Sequence, residues 1–216
     1  MQEALKNQPK TGQPTELLTS NFDIIGLIAE LETIGAHSFL LIPDKLRGSL
    51  ARAARRLQYK EQPAVVGPPE RRVHQRLASC ELDPGNEPFA GLARSLEALL
   101  SSALARLPRS PWPTPPKFND LLLQRYPPGP YALTPHLDGK RFVDLVSVAV
   151  LEGSARFCVC ADRAGNKQQE IPALPGSVIF MRAPGFAGNQ DGRPFHSVLD
   201  VESGRYTLGM RNNSQS

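Results

Sequence analysis

No apolar run in the sequence approaches the ~18 residues that a membrane-spanning helix needs, and the opening stretch MQEALKNQPKTGQP holds no apolar signal-peptide core. Membrane-embedded and secreted classes are therefore not expected. Cysteine is scarce, at three residues. An odd, small number argues against a disulfide framework and for a reducing compartment, so the expected location is cytoplasmic. There is one Trp, and no internal repeat or coiled-coil heptad can be found.

What is present suffices for one sizeable core: 216 residues, 40% of them apolar and 21% charged. The net charge of +4 is mild, but it is local, because nine Lys or Arg against three acids lie between Asp44 and Arg76. Proline, at 21 residues, is about twice the usual share. Nine of these prolines fall between Pro108 and Pro135, a stretch that cannot be regular helix.

Periodicity divides the chain. Residues 1–20 are polar and aperiodic and are expected to form a flexible N-terminal segment, with 21–216 as a single domain. Within it 21–110 should be mainly helical and 117–211 strand-rich. Ile24, Ile25, Leu27, Ile28, Leu31 and Ile34 follow helical spacing, with Asn21 as N-cap and Gly35 as stop. A short strand is expected over Ser38 to Ile42. A second helix carries Leu46, Leu50, Ala53, Ala54 and Leu57 on one face, with Arg52, Arg55 and Arg56 outside. A third runs from Phe89 to Leu107 and ends at Pro108. Beyond the proline-rich linker the period shifts to that of strands, expected over Leu121–Tyr126, Phe142–Leu151, Arg156–Cys160, Gln168–Ile171, Ser177–Arg182, Phe195–Val201 and Arg205–Arg211. Seven strands in this space predict a jelly roll, with two sheets packed face to face.

Two of the four histidines lie in the strand-rich half. In an extended segment residues two apart share a side, so His136 and Asp138 can present an imidazole and a carboxylate to one point. A strand carrying His196 can return beside the first in a jelly roll. Two imidazoles and one carboxylate form the facial triad of non-haem Fe(II) oxygenases, which leaves open positions for co-substrate and O₂. The bland alternative is a packed or solvated strand histidine. Near the end of the chain Arg205 and Arg211 are six apart, an even separation that puts both guanidiniums on one strand face with Thr207 between them. That arrangement suits a dicarboxylate, which a planar guanidinium grips bidentately; alone, the pair also fits two solvated arginines.

These stretches together resemble the Fe(II)/2-oxoglutarate dioxygenase superfamily, most nearly its AlkB-like branch. Gln124-Arg125-Tyr126-Pro127-Pro128-Gly129 is similar to that branch's Asn-Arg-Tyr-x-Pro-Gly element. Leu174-Pro175-Gly176-Ser177-Val178-Ile179-Phe180 resembles its Leu-x-x-Gly-Asp strand, and Arg205 to Arg211 resembles its Arg-x-Asn-x-Thr-x-Arg. The likeness covers Leu121 to Arg211. It implies that His136, Asp138 and His196 bind Fe(II), that Tyr126 and Gln124 hydrogen-bond 2-oxoglutarate, and that Arg205 and Arg211, with Thr207 beside them, hold its carboxylates. Which arginine takes the far carboxylate stays open. The pattern departs at Gln124, Thr207 and Gly209, where Asn, Asn and Thr are usual, and no aromatic clamp for a flipped base is found.

Other groups read as structural. Cys158 and Cys160 share a strand face but lack zinc spacing, and with Cys80 read as small core residues. His37 and His74 have no partner at ligand spacing. The basic stretch from Lys45 to Arg76 has Tyr59 as its only aromatic, so a solvated helix face competes with nucleic-acid binding. Trp112 either caps the barrel mouth or covers the core. The Gly- and Asn-rich stretch from Arg182 to Arg193 is expected to be a mobile substrate loop.

The expected fold is thus α+β, a double-stranded β-helix core with helices packed on one sheet. The resemblance implies a dioxygenase that uses Fe(II), 2-oxoglutarate and O₂, releases succinate and CO₂, and oxidises a small-molecule substrate. The alternatives are an AlkB-type demethylase acting on nucleic acid and a non-catalytic jelly-roll binding module.

Overall fold

The structure, a computed structural model, describes Leu18 and residues 22–215. The first helix, α1 (Ile24–Thr33), starts at Asp23, whose carboxylate accepts the Ile25 and Gly26 amides at 3.0 Å each. Asn21, the expected cap, lies outside the described residues, and Asp23 takes that role. Ile24, Leu27 and Leu31 form the buried stripe, and Gly35, with φ of +92°, ends the helix as the spacing predicts. Strand β1 (Ala36–Leu40) begins two residues earlier than expected. It stops before Leu41 because the Leu41 and Ile42 amides leave the ladder and donate to the Gly176 carbonyl.

Helix α2 (Asp44–Arg55) follows Pro43, and α3 (Phe89–Leu104) carries the long apolar stripe. Three-residue turns then take Arg106 and Leu107 out of α-geometry ahead of Pro108. The remaining strands are β2 (Lys60–Glu61), β3 (Val65–Val66), β4 (Val73–His74), β5 (Ala78–Leu82), β6 (Asp120–Tyr126), β7 (Gly129–His136), β8 (Phe142–Glu152), β9 (Arg156–Cys160), β10 (Gln169–Ile171), β11 (Ser177–Arg182), β12 (Phe195–Val201) and β13 (Arg205–Asn213). No helix among the described residues is long and apolar enough to cross a membrane.

Two antiparallel sheets form a jelly roll. The larger runs β1-β11-β8-β13-β6-β5-β2, the smaller β10-β9-β12-β7, and β3 and β4 form a separate hairpin. The expected helical half thus also contributes β1, β2 and β5 to the large sheet. Strand β7 was not among the expected strands because Pro130 and Pro135 interrupt it. Its position at the end of the small sheet's strand order explains why two residues without an amide proton are tolerated there.

Alternation on the large sheet sorts its side chains into two cores. Leu121, Leu123, Leu145, Ala149, Phe180, Leu208 and Met210 pack under the three helices. Tyr126, Val146, Val150, Ile179 and Met181 face the small sheet, where Phe157, Val159 and Val198 meet them. Trp112 belongs to the helix-side core: its indole N–H donates to the Asp144 carbonyl at 2.9 Å, and its ring meets Phe186 edge-on at 5.4 Å. It covers the core and does not cap the barrel.

Leu100 on α3 is fully buried, whereas Ile25 on α1 is 68% exposed. Leu100→Ala should therefore cost about 2–5 kcal/mol of unfolding free energy and Ile25→Ser no more than about 0.5, as measured by urea denaturation.

Candidate functional site

The small sheet brings together residues far apart in sequence. Strand β12 pairs with β7 so that His196 stands opposite His136, with a register shift just beyond the pair. The two imidazole centroids are 4.3 Å apart. The chain then leaves β7, and Asp138 turns back so that its Oδ1 lies 4.0 Å from His136 Nε2 and 3.9 Å from His196 Nε2. One donor atom from each of the three residues falls within 4.8 Å of the others, and among the described residues no other His, Cys, Asp or Glu group of this kind occurs.

Each ring is oriented from behind. His136 Nδ1 lies 2.9 Å from the Thr134 carbonyl and His196 Nδ1 3.2 Å from that of Pro194. A carbonyl only accepts, so both Nδ1 atoms carry the proton and both Nε2 lone pairs face the centre. Phe157 stacks on His196 at 5.5 Å. Burial, reinforced by the neighbouring His196, lowers the His136 pKa to about 4, so its ring is neutral at neutral pH. Burial alone would raise the Asp138 pKa, but His196, Arg211, His136 and Arg193 together outweigh it and hold the carboxyl below its ordinary value. Two imidazoles and one carboxylate converging on a point are a donor set for a divalent metal, with too few protein ligands to close an octahedron.

The large sheet supplies a second cluster beside the first. In the β13–β6 register Arg205 stands opposite Tyr126 and Thr207 opposite Gln124. Arg205 is 1% exposed, and its Nε and Nη1 are buried without a hydrogen-bond partner. Its guanidinium carbon lies 6.0 Å from the Tyr126 ring centroid. Burial lowers the Arg205 pKa, against which Tyr126 acts, and burial raises that of Tyr126. Arg211 lies over the Phe142 ring at 4.7 Å and meets Asp120 at 3.6 Å, with its Nε buried and unpartnered. Gly209 gives it room, since a Cβ there would come within 3.2 Å of Arg211 Nη2.

All eight residues singled out from the sequence, namely Gln124, Tyr126, His136, Asp138, His196, Arg205, Thr207 and Arg211, line one small cavity. Leu133, Val148, Phe157, Met181 and Val198 complete its wall. Of these, Val148, Phe157, Met181 and Val198 lie in expected strands but were not read as site, and Leu133 lies in β7, which was not expected. Arg193, which donates to the Asp138 main-chain carbonyl, was not singled out.

Other candidates lie elsewhere. Cys158 and Cys160 do not line the cavity, and burial raises both thiol pKa values. His37 meets Phe39 edge-on at 4.7 Å. In the basic stretch Arg47 pairs with Asp44, and Arg55 Nε donates to Glu152 at 2.8 Å. Their helix α2 packs on the sheet face opposite the cavity. The loop after β11 is less free than expected. Phe186 is buried, and Arg182 donates to Gly192 and to the Leu31 and Glu32 carbonyls at the end of α1, leaving residues 187–191 exposed.

No family model and no curated protein matches the chain. Solved structures do. A Pseudomonas putida prolyl-4-hydroxylase aligns with a TM-score of 0.61 at 16% identity, covering 88% of this chain and 98% of that one. OsALKBH1 aligns at 0.57 and 15%, covering 82% and 97%. A viral collagen prolyl hydroxylase from Paramecium Bursaria Chlorella virus-1, solved as a 2OG complex, aligns at 0.54 and 16%, covering 83% and 96%. The fold is therefore the double-stranded β-helix of the 2-oxoglutarate oxygenases. The AlkB side is one neighbour among several, prolyl hydroxylases included.

The site fixes how stability depends on pH without metal. An unfolded histidine titrates near 6.5 and His136 near 4, so the unfolded chain binds the extra proton first. The folded state should lose stability as pH falls from ~6.5 towards ~4, and the lowered Asp138 pKa acts in the same direction at lower pH. Chemical denaturation across this range should show that slope, and His136→Gln should flatten its upper part.

Proposed function

We propose that the chain is an Fe(II)- and 2-oxoglutarate-dependent dioxygenase. One observation carries this reading: a three-ligand centre and an unpaired, buried arginine share a cavity. An unpaired guanidinium taken out of water is costly unless an anion joins it, and an open-sided metal site is of use where a second ligand must reach the ion. A dicarboxylate with a keto-acid end satisfies both demands.

In this reading His136, Asp138 and His196 hold the ferrous ion, which supplies O₂ activation coupled to oxidative decarboxylation of 2-oxoglutarate to succinate and CO₂. Arg205 takes the far carboxylate, because it is the deeper arginine and faces no acid. Arg211 serves the metal end, since it already meets Asp120 and its charge is felt at Asp138. Tyr126 donates its hydroxyl to the co-substrate, with Gln124 and Thr207 beside it. The Nδ1 hydrogen bonds keep both rings in the ligating tautomer, and the apolar wall excludes water from the reacting groups.

For the substrate we favour a small molecule, which the enclosed, little-exposed centre supports. An AlkB-type action on nucleic acid finds no support in α2, which lies across the sheet from the cavity, although the rest of the basic stretch, from β4 to Arg76, runs beside β7. A binding module without catalysis would leave the ordered imidazoles and the unpaired Arg205 without a purpose.

The test is anaerobic. Adding Fe(II) and then 2-oxoglutarate should produce the visible charge-transfer band of the chelate. His136→Ala should abolish it through loss of metal, and Arg205→Ala should weaken 2-oxoglutarate binding by about 2–5 kcal/mol. Unchanged titrations in both variants would refute the assignment. Gly209→Thr should also weaken the co-substrate, by crowding Arg211. Succinate release stimulated by a metabolite, and not by methylated oligonucleotides, would separate the two catalytic readings.

A further inference from the structure

We infer that Arg193 is a positioning residue that holds Asp138 in place as a metal ligand, through a strap running from α1 across the loop after β11. The inference rests on the metal-centre reading above and extends it to residues that touch neither metal nor co-substrate.

The three ligands are not equally secured. His136 and His196 sit in paired strands with their rings fixed from behind. Asp138 stands in the irregular segment after β7, before the turn in which the Phe142 amide donates to the Gly139 carbonyl. There Arg193 Nη1 donates to the Asp138 main-chain carbonyl. Arg193 is itself clamped, its Nε and Nη2 each donating to Asp191 at 2.8 Å, and its side chain is 11% exposed. The planar fork suits this, since two nitrogens can grip one carboxylate while the third reaches elsewhere.

The strap has anchors at both ends. Asp191 also meets Lys140, two residues after Asp138, at 3.3 Å, and accepts the Gly192 amide at 2.8 Å. Arg182 donates to the Gly192 carbonyl and reaches the Leu31 and Glu32 carbonyls at 2.9 and 3.0 Å. Hydrogen bonds thus connect the end of the first helix to the backbone of the carboxylate ligand. Groups that orient metal ligands in this way commonly contribute 10–100-fold to metal affinity.

The experiment uses the full chain and Co(II), whose visible spectrum reports ligand geometry. Arg193→Gln should bind Co(II) about 10-fold or more weakly, with altered visible bands, while its metal-free thermal midpoint stays near wild type. Arg193→Lys keeps a donor but loses the fork, and should recover part of the affinity. Asp191→Asn releases the clamp, carries the same expectation, and serves if Arg193→Gln fails to fold. Wild-type affinity and spectrum in both Arg193→Gln and Asp191→Asn, with binding lost in His136→Ala, would overturn this inference alone. Absence of Co(II) binding by the wild type would overturn the metal-centre reading as well.

Discussion

The site depends on one antiparallel register, the pairing of β7 with β12 that sets His136 opposite His196. Side chains alternate along a strand, so a slip of one residue would turn an imidazole to the outer face of the small sheet and dissolve the centre. The register shift between His196 and Val198 sets two residues of β12 against three of β7, so that Leu133 and His136, an odd number of residues apart, both face the cavity. Everything else builds on this pair. Asp138 needs only to fold back over it, and the large sheet needs only to present its polar face opposite.

Electrostatics complete what the register begins. The cavity wall combines apolar side chains with Arg205 and Arg211, and of the two only Arg211 is answered by carboxylates, those of Asp120 and Asp138. Burial lowers the Arg205 pKa and raises that of Tyr126, which places a hydroxyl donor and a cation without a protein acceptor at one end of the cavity. At the other end the neutral imidazole of His136 and the ionised carboxylate of Asp138 are in the protonation states that a metal requires. The two ends differ in chemistry, and a keto dicarboxylate is complementary to both.

Much of this was legible from period alone. The strands β6, β8, β9, β11, β12 and β13 announce themselves as short β-type runs between Gly, Pro, Asn and Asp, and the even spacing of Arg205 to Arg211 holds along β13, whereas Asp138 lies past the end of β7 and reaches the centre by a turn of the chain. Strand β7 was hidden because its prolines read as linker, which holds for an interior strand and fails at the end of a sheet. The sequence Ala78–Leu82 was hidden by its brevity just beyond the basic stretch. Asn21 was the expected cap, and Asp23, which the spacing did not single out, takes that role by accepting the Ile25 and Gly26 amides. Arg193 was invisible for another reason. It acts on a main-chain carbonyl, a group every residue carries, so no pairing of side-chain types points to it.

The central claim is that His136, Asp138 and His196 share one metal ion with 2-oxoglutarate seated between it and Arg205. A crystal structure with Mn(II) in place of iron and 2-oxoglutarate bound, grown without oxygen, tests it most directly. The account predicts an anomalous peak at bonding distance from the two Nε2 atoms and the Asp138 carboxylate, and a bidentate contact from Arg205 to the far carboxylate. A peak elsewhere, or 2-oxoglutarate bound away from Arg205, would contradict it.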